Sequence, residues 1–214
     1  MYDEKKDRTA PGFGDRLTAW MRRYAVGSDL SLFGLLFAML LSGALLGVIG
    51  CIIFGDRVDP ERFRVAYLAE RAFSGYPDGV SYLRAFVGWF FFYEKRFLLL
   101  LLFAFSLFAV YLCSAYLITE GFILGYAAVM LTRCGFSLLY LLFLGGMAFF
   151  SFLLVLFSVK AVRFSRDVRK RTEQKQPLFF MEGCVPLFGA FAIHSAACAA
   201  MLLLGSAISD SLLS

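Results

Sequence analysis

Residues 97–159 read FLLLLLFAFSLFAVYLCSAYLITEGFILGYAAVMLTRCGFSLLYLLFLGGMAFFSFLLVLFSV, interrupted by two charges, Glu120 and Arg133. A soluble core helix has no use for apolar stretches much beyond about 18 residues, whereas a bilayer-spanning helix needs them. The run therefore places the chain in a membrane. Continuous apolar runs of this length span as helices, whose backbone hydrogen bonds are all internal. The expected fold class is all-α: a polytopic helical membrane protein of about five transmembrane segments.

The rest of the composition agrees. Hydrophobic residues fill 60% of 214 positions, 26 of them phenylalanine, too much apolar surface for a soluble monomer. The net charge of +5 comes from basic residues beside apolar segments. Such residues set orientation and attract lipid heads, so no nucleic-acid partner is expected. Cys51, Cys113, Cys134, Cys184 and Cys198 lie in or beside apolar runs without a Cys-x-x-Cys pair, and His194 is the single histidine. These read as packing residues rather than a metal centre, and no cofactor is expected.

In chain order, residues 1–30 form the expected cytoplasmic N-terminus. Within it, Phe13, Leu17, Trp20, Met21 and Tyr24 fall at helical spacing opposite Asp15, Arg16, Arg22 and Arg23. That pattern fits a short amphipathic helix on the membrane surface or one packed on the protein itself. A single integral domain over 31–208 follows. Its first span, 31–54, contains Gly43-x-x-x-Gly47, which admits a close neighbour. Val48-Ile49-Gly50-Cys51 is similar to a lipoprotein processing box, but the apolar helix continues past the cysteine, so the span is expected to stay uncleaved. An outer loop over 56–96 ends in an aromatic stretch and Glu94-Lys95-Arg96, a combination suited to the headgroup boundary. Spans then follow at 97–119 and 135–159. Between them the 120–133 piece either crosses as a short segment or is re-entrant. The linker 160–177 is the most basic connection and the best cytoplasmic candidate, and 183–208 is the last span. An even number of crossings between the two basic regions leaves the C-terminus outside.

Charged residues within the membrane are functional candidates because each costs about 2.5–3.5 kcal/mol at the centre on insertion scales. Glu120 and Arg133 are expected to mark the two ends of the short segment. The sharper alternative is a cation-coupled or interhelical pair. His194 is expected to bond across helices. Its neighbour Ser195 points about 100° away on a helix, so no nucleophile–base pair arises, and no membrane aspartate pair or P-loop exists. No enzyme is expected.

The segment Gly121-Phe122-Ile123-Leu124-Gly125-Tyr126, the glycine connection Cys134-Gly135-Phe136, a further span and the basic Arg163-Phe164-Ser165-Arg166 together resemble the stage II sporulation protein M family. The layout of spans agrees over most of the chain. Two places differ from the family pattern: Glu120 stands where a basic residue is usual, and Leu144-Gly145-Gly146-Met147 replaces a Pro-Gln-Asn step. The resemblance implies a non-enzymatic scaffold of sporulation engulfment. Such a scaffold holds peptidoglycan-degrading enzymes at the septal membrane, and it leaves room for a homo-oligomer. The candidate packing and interaction residues are Gly43, Gly47, Glu120, Gly121, Phe122, Gly125, Arg133, Gly135, Gly145, Gly146 and His194. The alternative is a small permease or a transporter's membrane subunit, with a discontinuous helix at 121–131 near its substrate. A scaffold should tolerate Glu120→Gln and fail on bulky changes at Gly121 or Gly125. A permease should lose flux on Glu120→Gln with assembly intact.

Overall fold

A computed structural model describes residues 29–54, 79–133, 138–174 and 180–213. Among these the regular structure is entirely helical: α1 Leu30–Phe54, α2 Gly79–Ala104, α3 Ala109–Arg133, α4 Leu138–Glu173 and α5 Phe180–Leu213. The helices α1, α3, α4 and α5 are each long and apolar enough to cross a membrane. The chain is a multi-pass helical membrane protein.

Helix α4 is the centre of the bundle. From Phe150 to Val162 nearly every residue is buried, including Phe150, Leu154, Val155, Phe157 and Val159. Burial on nearly every side takes neighbours on nearly every side, and α1, α2, α3 and α5 supply them. Phe97 of α2 packs edge-on against both Phe150 (5.3 Å between ring centroids) and Phe157 (5.7 Å). Tyr93, one turn earlier, meets Phe150 at 4.3 Å. The pairings rise together along the two sequences, so α2 runs parallel to α4.

One end of the bundle is fixed by three contacts. Asp29, just before α1, lies 3.9 Å from Arg163 of α4. Ser165 of α4 donates to the carbonyl of Ser106 at 2.6 Å, and Phe105 packs on Phe164. The start of α1, the α2–α3 turn and the basic part of α4 therefore share a level, called below the basic end. At 36 residues α4 is about 54 Å long, well beyond a hydrocarbon core of about 30 Å, so its C-terminal part leaves the membrane there.

Three sequence expectations are corrected. The first break in the long apolar run lies at residues 105–108, not at 119–120. Ser106 makes this turn: its hydroxyl accepts from the Phe108 N–H at 3.1 Å just before α3, while two i→i−3 bonds tighten the end of α2. As a result 120–133 is neither a short crossing nor re-entrant but the second half of an unbroken 25-residue helix. Second, residues 79–96 of the expected outer loop belong to α2, because Tyr93, Glu94 and Phe97 find buried places in the bundle. Third, the linker 160–177 is helical as far as Glu173, a continuation of α4. The expected amphipathic helix near the N-terminus lies outside the described residues.

Ser106→Ala removes this turn hydrogen bond and is expected to cost about 0.5–1.5 kcal/mol. Thermal unfolding in detergent should show a lower midpoint with an unchanged helical spectrum; an unmoved midpoint would mean the turn is held by packing alone.

Candidate functional site

Two features stand out inside the bundle: a glycine seam between α1 and α3, and a layer of charged and polar side chains joining α2, α3 and α5.

The seam follows from sequence spacing. On α1 the buried positions are Leu32, Leu36, Leu40, Gly43, Gly47 and Cys51, a single narrow stripe. On α3, Gly121 and Gly125 repeat the same four-residue interval, with Leu117 and Cys113 continuing the stripe toward the basic end. The two stripes meet in parallel with no side chain between the backbones. A Cβ on Gly43 would fall on the carbonyl oxygen of Ile118, and one on Gly47 on that of Phe122. Reciprocally, a Cβ on Gly121 would strike the Leu40 carbonyl, and one on Gly125 that of Ala44. Each helix thus supplies two glycines and receives two backbone carbonyls, which gives the close approach that small-x-x-x-small stripes permit in lipid. The Phe122 ring is partly exposed, lies over Gly50 and stacks on Tyr126 at 6.0 Å.

The polar layer lies about 16 Å from the start of α3 by the rise of a helix, close to mid-membrane. Arg96 of α2 and Glu120 of α3 form an ion pair at 2.7 Å, both largely shielded. The guanidinium also lies 4.7 Å from the Phe92 ring centre and 5.5 Å from that of Phe150, so aromatic faces take the charge that one carboxylate does not cover. Tyr116, one turn before Glu120, sits beside the same carboxylate. Glu94, on the other side of α2, accepts from the Ser195 hydroxyl of α5 at 2.6 Å. Its second oxygen is buried with no partner among the described residues. Lys95, between the two, is exposed and lies over Phe92 at 4.6 Å.

These positions revise several expectations. Glu120 does not mark a helix end; it is buried at 5% exposure, and its partner is Arg96 rather than Arg133, which ends α3 three to four turns away. The sharper alternative, an interhelical pair, describes what Glu120 does. His194 donates from Nδ1 to the carbonyl of Ala190 at 2.7 Å, within its own helix and not across helices. Its ring instead packs against Phe97 (5.8 Å) and Phe157 (5.5 Å). Gly145 and Gly146 have nothing within 4 Å of an added Cβ among the described residues, so none of the described helices approaches closely there. Gly135 lies outside the described residues. Among the described residues no group of His, Cys, Asp or Glu has the arrangement to hold a metal ion.

No family model, curated protein or solved structure matches the chain. The residues that sequence reasoning missed are Glu94, Arg96 and Ser195. The charged triplet at 94–96 looked like a membrane boundary because it precedes a run of leucines. A usable signal was present: between Gly79 and Ala104 no proline, and only Gly88, interrupts a helix.

The open glycines supply a contrast to the seam. Gly145→Ala is expected to stabilise by about 0.5–1 kcal/mol, since alanine is the better helix former and meets no neighbour. A raised unfolding midpoint in detergent checks this; a lowered one would place an undescribed contact at that face.

Proposed function

We propose that the chain is a non-enzymatic scaffold in the bacterial cytoplasmic membrane. The observation that carries this reading is the internal pairing of Arg96 with Glu120 across an unbroken α3. A substrate pathway needs charges available to a ligand and is often built on a broken helix. Here the oppositely charged pair in the interior joins two helices of the same chain, and α3 runs without a break through 121–131, where a discontinuous helix was the alternative. The seam between α1 and α3 adds a second fixed contact. Rigid helices with an apolar outer surface suit a protein that holds others in place.

In this reading the basic end faces the cytoplasm, by the excess of lysine and arginine after residue 159, and the C-terminus lies outside. The resemblance to the stage II sporulation protein M family supplies the partner class: peptidoglycan-degrading enzymes at the septal membrane. The test is purification of the tagged protein from crosslinked sporulating cells, with vegetative cells as control. Wall hydrolases recovered only from the sporulating sample support the scaffold. Recovery of an ATPase or transporter subunit without wall enzymes overturns it.

One observation favours the second reading, a transporter's membrane subunit: the buried Glu94 oxygen that lacks a donor among the described residues. Under that reading Glu94→Gln abolishes flux in reconstituted vesicles and leaves co-purifying partners unchanged. Under the scaffold reading no flux exists to lose.

A further inference from the structure

The basic end carries two features that neither the seam nor the polar layer uses. The first is an apolar tip. The turn between α2 and α3 exposes Phe105 (46%), Leu107 (71%) and Phe108 (65%), with Tyr111 beside them. Side chains of this kind do not belong in water, so the membrane surface lies at or beyond the turn. The second is the emerging part of α4. Residues 160–173 carry six basic side chains against two acidic ones. Arg163 is tied to Asp29 and Arg169 to Glu173, while Arg166, Lys170 and Arg171 have no carboxylate partner among the described residues.

The hydrogen bond from Ser165 to the Ser106 carbonyl puts these features in register. Arg166, Lys170 and Arg171 begin one residue beyond the level of the apolar tip and reach about 9 Å past that level along the helix. The headgroup layer outside the hydrocarbon is about 5–8 Å thick on each side. The three basic residues therefore leave the bundle at the depth of lipid phosphates. Arg166 and Lys170, four residues apart, share one exposed face.

We propose that this end of the bundle is a binding surface for anionic phospholipid headgroups, with the Phe105–Phe108 turn seated in the acyl boundary and Arg166, Lys170 and Arg171 on the phosphates. The inference rests on the membrane fold and not on what the chain assembles with. An arginine at this depth binds a phosphate through two parallel N–H donors, and lysine adds a mobile point charge. Each basic residue near a charged membrane surface is worth about a fivefold change in affinity.

The test uses the full chain reconstituted alone in mixed phosphatidylglycerol and phosphatidylcholine bilayers, with spin-labelled lipids reporting which species lies immobilised on the protein. The wild type should prefer phosphatidylglycerol, and salt should weaken the preference. Arg166→Gln/Lys170→Gln/Arg171→Gln should lose most of that preference while its unfolding midpoint stays within a few degrees of wild type. Arg133→Gln, at the other end of α3, should keep it. An unchanged preference in the triple variant overturns the proposal. So does loss of the wild-type preference when a modest concentration of inorganic phosphate is added at constant ionic strength, which would make the site one for the free anion. Absence of any lipid preference in the wild type also overturns it and would assign these residues to an acidic protein partner.

Discussion

Gly121→Val is expected to pull α1 away from the rest of the bundle. The valine Cβ would occupy the position of the Leu40 carbonyl oxygen, and its two methyl groups would extend further into α1. A clash with a flexible side chain is relieved by rotation, but a clash with a backbone carbonyl moves a whole helix. Overpacking usually costs about 1–3 kcal/mol, and this site lies at or above the top of that range because Gly125, one turn on, faces Ala44 in the same way. Separation at Gly121 therefore opens the contact at Gly125 as well. Two measurements follow the effect. The unfolding midpoint in detergent should fall, and Cys51, fully buried near the far end of α1, should become reactive toward a membrane-permeant maleimide. Gly121→Ala should do the same to a smaller extent, and Gly145→Val should leave Cys51 protected. A Gly121→Val protein with wild-type stability and an unreactive Cys51 would show that the two backbones are not in contact. Under the proposed scaffold reading, this variant should lose partner assembly because α1 is displaced.

The membrane class, the helical fold and the glycines that make the seam were legible in the sequence, because each depends on local patterns. Long apolar runs must span, and a four-residue glycine interval puts two gaps on one face. What the sequence did not reveal is that Gly43-x-x-x-Gly47 and Gly121-x-x-x-Gly125 meet each other, since pairing is a property of two distant segments. The misplaced helix break has a different cause. Turn signals in soluble proteins are glycine, proline and polar clusters, yet the turn at Phe105–Phe108 has only Ser106 among apolar residues. In an interfacial setting apolar turn residues are compatible with lipid, so the usual contrast between helix and turn disappears. Glu120 was misjudged for a related reason. Next to Gly121 it looked like the polar end of a segment, because nothing local shows that Arg96, 24 residues earlier, returns to the same depth.

That return makes Glu120→Gln a damaging substitution, contrary to the mild effect a scaffold alone would lead one to expect. The glutamine side chain would keep an oxygen for one Arg96 N–H but would leave a full positive charge at mid-membrane, facing only aromatic rings. A guanidinium does not shed its proton in proteins, and removing one member of a buried pair typically costs about 3–5 kcal/mol. Retention of one hydrogen bond and the faces of Phe92 and Phe150 bring the expected loss to about 2–3 kcal/mol. Arg96→Met should cost less, because the methionine keeps the apolar packing on Phe92 and Phe150 while Tyr116 still lies beside the carboxylate left behind. The double variant Arg96→Met/Glu120→Gln should lie within about 1 kcal/mol of wild type, as an uncharged pair has no desolvation to offset. Denaturation in mixed detergent micelles gives all three values and closes a double-mutant cycle with an expected coupling of at least about 2 kcal/mol. Strictly additive losses would mean that the contact at 2.7 Å does not bind α2 to α3, and the two helices would then be held by the Phe103–Tyr116 ring contact and the Ser106 turn. Coupling with Arg96→Met the less harmful single variant would establish that Glu120 serves Arg96: it is the counter-charge that allows an arginine at the centre of the bundle.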